Sequence, residues 1–139
     1  MTLANAVLWV GISVGVMCNA EAAETKTESR TESKTLDNIY DQCVKKAGTM
    51  NNSVVSACSD QASTEAKKQI NLYYQRLYKR LLKEAPQDAQ KLQQAQQAWV
   101  SYRDKHCALA GSYVGSPMYD FCPMQLNIAR AAELQEFSQ

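Results

Sequence analysis

Histidine occurs once in this chain, glycine five times, and neither sign of charge prevails, with 15 Lys and Arg against 14 Asp and Glu. Each shortage excludes a class of chemistry. With His106 alone, no histidine-based metal cluster or histidine pair can form. The glycines build no phosphate-cradling loop, and "CALAGS" lacks the CxxCH pattern of haem attachment. No Ser-His-Asp arrangement is evident, and the carboxylates are scattered without an acid/base couple. His106 does stand beside Cys107, but neighbouring helical positions diverge by about 100°, and a cysteine in an exported protein is expected to be oxidised. The small net charge calls for no nucleic acid. The chain therefore reads as non-enzymatic, without cofactor or metal.

At 139 residues the sequence offers one domain with room for a hydrophobic core. Its first 22 residues read as a secretory signal. An apolar run from Ala6 to Cys18 is short for a membrane span, and Ala20-Glu21-Ala22 fits the small-x-small cleavage rule. The run is preceded by no Lys or Arg, so a retained anchor is the competing reading. Met17 is too large for a lipid-modification site at Cys18. Cleavage leaves Cys43, Cys58, Cys107 and Cys122, an even number that argues for disulfides and for a periplasmic or secreted protein with no integral membrane span. Both sequence-adjacent pairs are 15 residues apart. Local pairing, Cys43–Cys58 with Cys107–Cys122, is the preferred one of three connectivities, and each bridge would restrict the unfolded chain by roughly 3 kcal/mol.

Residues 23–35, "AETKTESRTESKT", hold no large apolar side chain and read as a flexible linker. The domain, 36–139, is expected to be all-α: a small disulfide-stapled bundle of three longer helices and one short N-terminal helix. Leu36, Ile39, Tyr40, Cys43 and Val44 give the short helix, with Gly48 placed to stop it. A turn-rich connector follows, with Ser59 and Asp60 as candidate caps. The second helix spans about Gln61 to Ala85, with Ala66, Ile70, Tyr73, Tyr74, Leu77 and Leu81 on one stripe and Lys68, Arg76, Lys79 and Lys83 facing away. Pro86 bars its continuation. A third helix runs from about Gln87 to Leu109. "AGSYVGSPMYDF" reads as a loop, and a last helix, from about Cys122 to Phe137, is expected to bury Leu126, Ala129, Leu134 and Phe137.

The third helix carries Leu92, Gln96, Trp99 and Arg103 on one line, at spacings of three and four. A guanidinium on such a stripe is costly to bury unless carboxylate and carbonyl oxygens surround it. Asp104 points about 100° away, whereas Glu133 lies on the facing side of the last helix. The expectation is an Arg103–Glu133 pair within a structural network of Asn71, Tyr74, Gln96, Trp99, Arg103, Arg130 and Glu133 that fixes helix register. The rival reading makes Gln96, Trp99 and Arg103 an exposed recognition patch.

"AQQAWVSYRDKHC", residues 95–107, resembles the AQxAWxxYRDxxC signature of the LprI-type lysozyme-inhibitor family. "INLYY" is similar to that family's LNxxY, matching Asn71 and Tyr74 with Ile70 in place of Leu. Cys122 and Arg130 fit its CxxxxTxxR ending, with Asn127 where Thr is usual, and Lys67 stands where Asp is common. These two departures are expected to remove a local hydrogen bond or cap. The resemblance covers about residues 43–137. It implies an exported helical module whose partner is lysozyme or another peptidoglycan hydrolase. The segment Ala110 to Asp120, with Ser112, Tyr113, Ser116 and Asp120, is the candidate binding loop. The alternative is a non-catalytic envelope interaction or adaptor module with a structural role. A net charge of +2 after signal removal offers no long-range attraction to a cationic lysozyme.

Overall fold

The structure, a computed structural model, describes residues 35–139, which form four helices and no strand among the described residues. The signal and most of the linker assignment lie outside those residues. The first helix, α1, covers 35–47; Gly48, at φ +68°, ends it in a left-handed conformation that a side chain would disfavour. Helix α2 is Asn52–Glu84, α3 is Pro86–Tyr113 and α4 is Met118–Phe137.

Helix α2 begins well before Gln61, because Asn51 caps it. The Asn51 side chain accepts the Val54 N–H at 3.0 Å. Ser59 and Asp60 therefore lie inside the helix and cap nothing, and Ser59 is fully buried. Ala85 alone joins α2 to α3, and Pro86 opens α3 where its missing N–H costs nothing. The segment expected as a loop is mostly helix. Helix α3 runs on to Tyr113, and only residues 114–117 separate it from α4. Gly115, at φ +135°, makes that reversal. Pro123 lies inside α4, near its start.

Register can be read from hydrogen bonds. Asn52 reaches Ser116, Ser56 reaches Asp120 and Asn127 reaches Ser63, each pair 64 residues apart. A constant separation means that α2 and α4 run parallel, side by side. Helix α3 returns antiparallel to both. The core lies between α2 and α4: Ala62, Ala66, Ile70 and Tyr73 meet Met124, Ile128, Ala131 and Leu134, with Leu36 of α1 closing one side. Alanines at 62, 66 and 131 let the two backbones approach. On α4 the buried face is Met124, Ile128, Ala131 and Leu134; Ala129 and Phe137 are exposed and Leu126 is half-buried. Of the three long helices α3 buries the fewest residues, Ala89, Cys107 and Gly111.

Cys43–Cys58 ties α1 to α2, and Cys107–Cys122 ties α3 to α4, each with a Cα separation of 5.5 Å. The local connectivity is the one present. The fold is an all-α, disulfide-stapled bundle.

Candidate functional site

Trp99 of α3 lies between two guanidiniums. Arg103, one turn along the same helix, places its Cζ 5.2 Å from the indole centroid, and Arg130 of α4 places its own at 5.6 Å. From this centre two hydrogen-bonded arms run outward. Arg130 donates to Gln96 Oε1 at 3.0 Å and to Glu133 at 2.7 Å. Arg103 donates to Asn127 Oδ1 at 3.0 Å, and Asn127, fully buried, donates onward to Ser63 at 2.8 Å. The arms join three helices, so sliding one helix on the next would break these hydrogen bonds.

Arg103 is not paired with Glu133. Both its Nε and Nη2 donate to Asp104, at 2.9 and 2.6 Å. The reason is register. The short turn and the Cys107–Cys122 bridge set Arg103 level with Asn127, whereas Glu133 lies six residues further along α4, about 9 Å at a helical rise of 1.5 Å per residue. That level belongs to Gln96 and Arg130. Asp104, although 100° round the helix on an ideal wheel, is still within reach of the long arginine side chain, whose Nε and Nη2 both meet it. Asn71 and Tyr74 also fall outside the network. Asn71 is exposed, and Tyr74 stacks on Tyr78 at 5.7 Å. Burial, then the neighbouring Tyr78, pushes the Tyr74 phenol above its ordinary range. Within α1, burial and then the Asp41 charge push the Tyr40 phenol and the Asp37 carboxyl above their ordinary ranges.

Asn127, Ser63 and Asp104 are the network members that sequence reasoning missed. Asn127 reads in the sequence as a loss of a hydrogen bond, yet its amide serves two partners. The available signal was its place three residues before Arg130, on the inward side of α4.

At the turn end of the bundle the proposed loop residues divide. Ser116 accepts from Asn52 at 3.3 Å, Asp120 accepts from Ser56 at 2.5 Å, and the Ser112 hydroxyl lies 3.4 Å from that of Tyr119. These three are occupied within the fold. Tyr113 instead projects outward, 86% exposed. A hollow of about 250 Å³ lies beside them, lined by Asp60, Lys67, Arg103, Asp104 and Asp120 among others. No cluster of three or more His, Cys, Asp or Glu suited to a metal occurs among the described residues.

Gly111 allows Tyr119 to lie across α3. A Cβ at this position would come within 2.3 Å of the tyrosine ring. Gly111→Ala is therefore expected to displace Tyr119 and lower stability by about 1–2 kcal/mol in urea unfolding. In a Tyr119→Ala background the same change is expected to reverse sign and stabilise by up to about 1 kcal/mol, as alanine usually does in a helix.

A family model described as lysozyme inhibitor LprI matches residues 43–134. No curated protein and no solved structure gives a match. The matched span holds both disulfides, the Trp99 layer and the whole α3–α4 turn. The chain belongs to the LprI lysozyme-inhibitor family.

Proposed function

We propose that the protein binds and inhibits a lysozyme or a related cell-wall hydrolase, without catalysis, in the periplasm or as a secreted protein. The observation that carries this reading is the family match across residues 43–134. Chemistry agrees with it. An inhibitor of this kind must occlude a sugar cleft flanked by two carboxylates, which needs a stiff body rather than a reactive one. Two disulfides and a three-helix polar layer make such a body. Disulfides suit an oxidising compartment, and no described helix is long and apolar enough to cross a membrane.

A second reading, an envelope adaptor, draws on α2. Between Lys67 and Lys83 this helix has no acid, and Arg76, Lys79 and Lys83 share a solvent face with the exposed Leu72. None of the three cations forms an ion pair among the described residues. Such a face suits an anionic surface, at about 1 kcal/mol per cation.

Turbidity loss of a cell-wall suspension, with lysozymes of several types, separates the two. Slowed lysis at stoichiometric protein is the expected result. Undiminished lysis at excess across all types retires the inhibitor reading. If such a protein also binds anionic vesicles and releases them in salt, the adaptor stands instead.

A further inference from the structure

Helix α3 turns an unpartnered ridge to solvent. Tyr102, His106, Leu109 and Tyr113 follow one another at spacings of four, three and four, so they share one face over about 16 Å of helix. All are exposed, and Tyr113 is the most exposed large apolar side chain among the described residues. The Tyr102 and His106 rings already stack, 5.2 Å apart and 20° from parallel. Lys105 lies beside them, exposed. The one acid in this half of α3, Asp104, is held by Arg103. The ridge is thus aromatic, apolar and cationic.

We infer that this ridge is the part of the molecule that enters the saccharide groove of the inhibited hydrolase, an inference that rests on the inhibitor reading above. The shapes correspond: a single helix is a convex rod about 10–12 Å wide, and polysaccharide hydrolases bind their chain in an elongated groove. The surfaces correspond as well. Sugar rings leave apolar faces that tyrosines can replace, and tyrosine gives large contact area at low entropic cost. The floor of such a groove carries two carboxylates, which Lys105 meets with the opposite sign. The ridge is free of negative charge because Asp104, two residues from both Tyr102 and His106, falls on the other side of the helix, where Arg103 holds it. Opposite the ridge, buried Cys107 is bridged to Cys122, so the ridge is ordered before binding.

Calorimetric binding to a lysozyme that the native protein inhibits tests the inference, with Tyr102→Ala, Tyr113→Ala and Lys105→Glu compared with Lys79→Ala on α2. Each ridge variant is expected to weaken Kd by roughly tenfold or more and Lys79→Ala by less than about twofold. Matching melting curves for all four variants confirm that they fold alike. A chitooligosaccharide in the groove is expected to compete with the native protein. Ridge variants that bind within about twofold of native overturn the inference and leave the inhibitor reading standing. Weakened binding without competition by the sugar places the contact outside the groove and also overturns it. A ridge that proves to join two copies of the chain, seen as a dimer lost in Tyr113→Ala without change in lysozyme binding, does the same. A native protein that binds none of the lysozymes overturns both readings.

Discussion

Arg130→Ala lowers the unfolding free energy by about 3 kcal/mol, the largest loss expected from any single residue of the polar layer. Only 9% of the Arg130 side chain is exposed, and it serves three partners: Gln96, Glu133 and the indole of Trp99. Removing it strips the indole of one covering group and leaves the half-buried Gln96 oxygen without a donor. Glu133 adds little to the loss because, half exposed, it regains water. Arg103→Ala is expected to cost less, about 1–2 kcal/mol, since its main carboxylate partner Asp104 is largely exposed and only the buried Asn127 oxygen is orphaned. For a domain of this size, Arg130→Ala then lowers Tm by about 10–20 °C. Arg130→Met, which keeps apolar cover on Trp99, is expected to recover about half of that loss. Double-mutant cycles discriminate further. Arg130 with Glu133 should couple by about 0.5–1 kcal/mol, and Arg103 with Glu133 by nearly zero. Equal couplings at the two arginines contradict this layout.

How far this arrangement can be read from sequence depends on what sets each part. Helix existence and the α2 stripe are period-3.6 information, and Ala66, Ile70, Tyr73 and Leu77 are buried where their spacing places them. Equal short loops in an even set favour the local cysteine pairing over the two alternatives, and the structure has it. Partner identity within the polar layer does not follow, because it depends on how α3 slides along α4. That is fixed by Gly115 and by where α4 starts, two features hidden in a Gly, Ser and Pro-rich stretch that composition alone assigns to a loop. A shift of six residues along α4 exchanges Asn127 for Glu133. The same misreading made Ser112, Ser116 and Asp120 look like free contacts, although each meets another helix or turn of the fold. Helical spacing also said nothing of which face of α3 would be left bare. Helix α3 is the outermost of the three long helices, and its aromatic ridge becomes visible only once α2 and α4 are seen packing on each other.

Replacing Cys107 and Cys122 together by serine costs about 3 kcal/mol, and so does replacing Cys43 and Cys58, because the closed loops are of equal length. The local consequences differ. Helix α1 is still held by buried Leu36 and by Ile39 and Tyr40 packed on the core, Tyr40 edge-on to Phe121 at 5.4 Å. The C-terminal half of α3 has Cys107 and Gly111 as its only buried residues, and beyond Arg103 its remaining polar tie to α4 is the Ser112–Tyr119 contact. Without the bridge this half is expected to open separately from the rest of the bundle. Amide hydrogen exchange over residues 100–113 should therefore accelerate by about tenfold or more in the Cys107→Ser/Cys122→Ser protein. The Cys43→Ser/Cys58→Ser protein should change chiefly over 35–50. On the inhibitor reading and the ridge contact proposed above, inhibition should follow the same division, since a ridge that frays must be re-ordered each time it binds. Lysozyme inhibition is expected to fall steeply in the first protein and hardly in the second, measured well below both melting temperatures. Equal inhibition by both would mean that the second disulfide supports the fold without supporting the contact surface, and the active face would then have to lie on another helix.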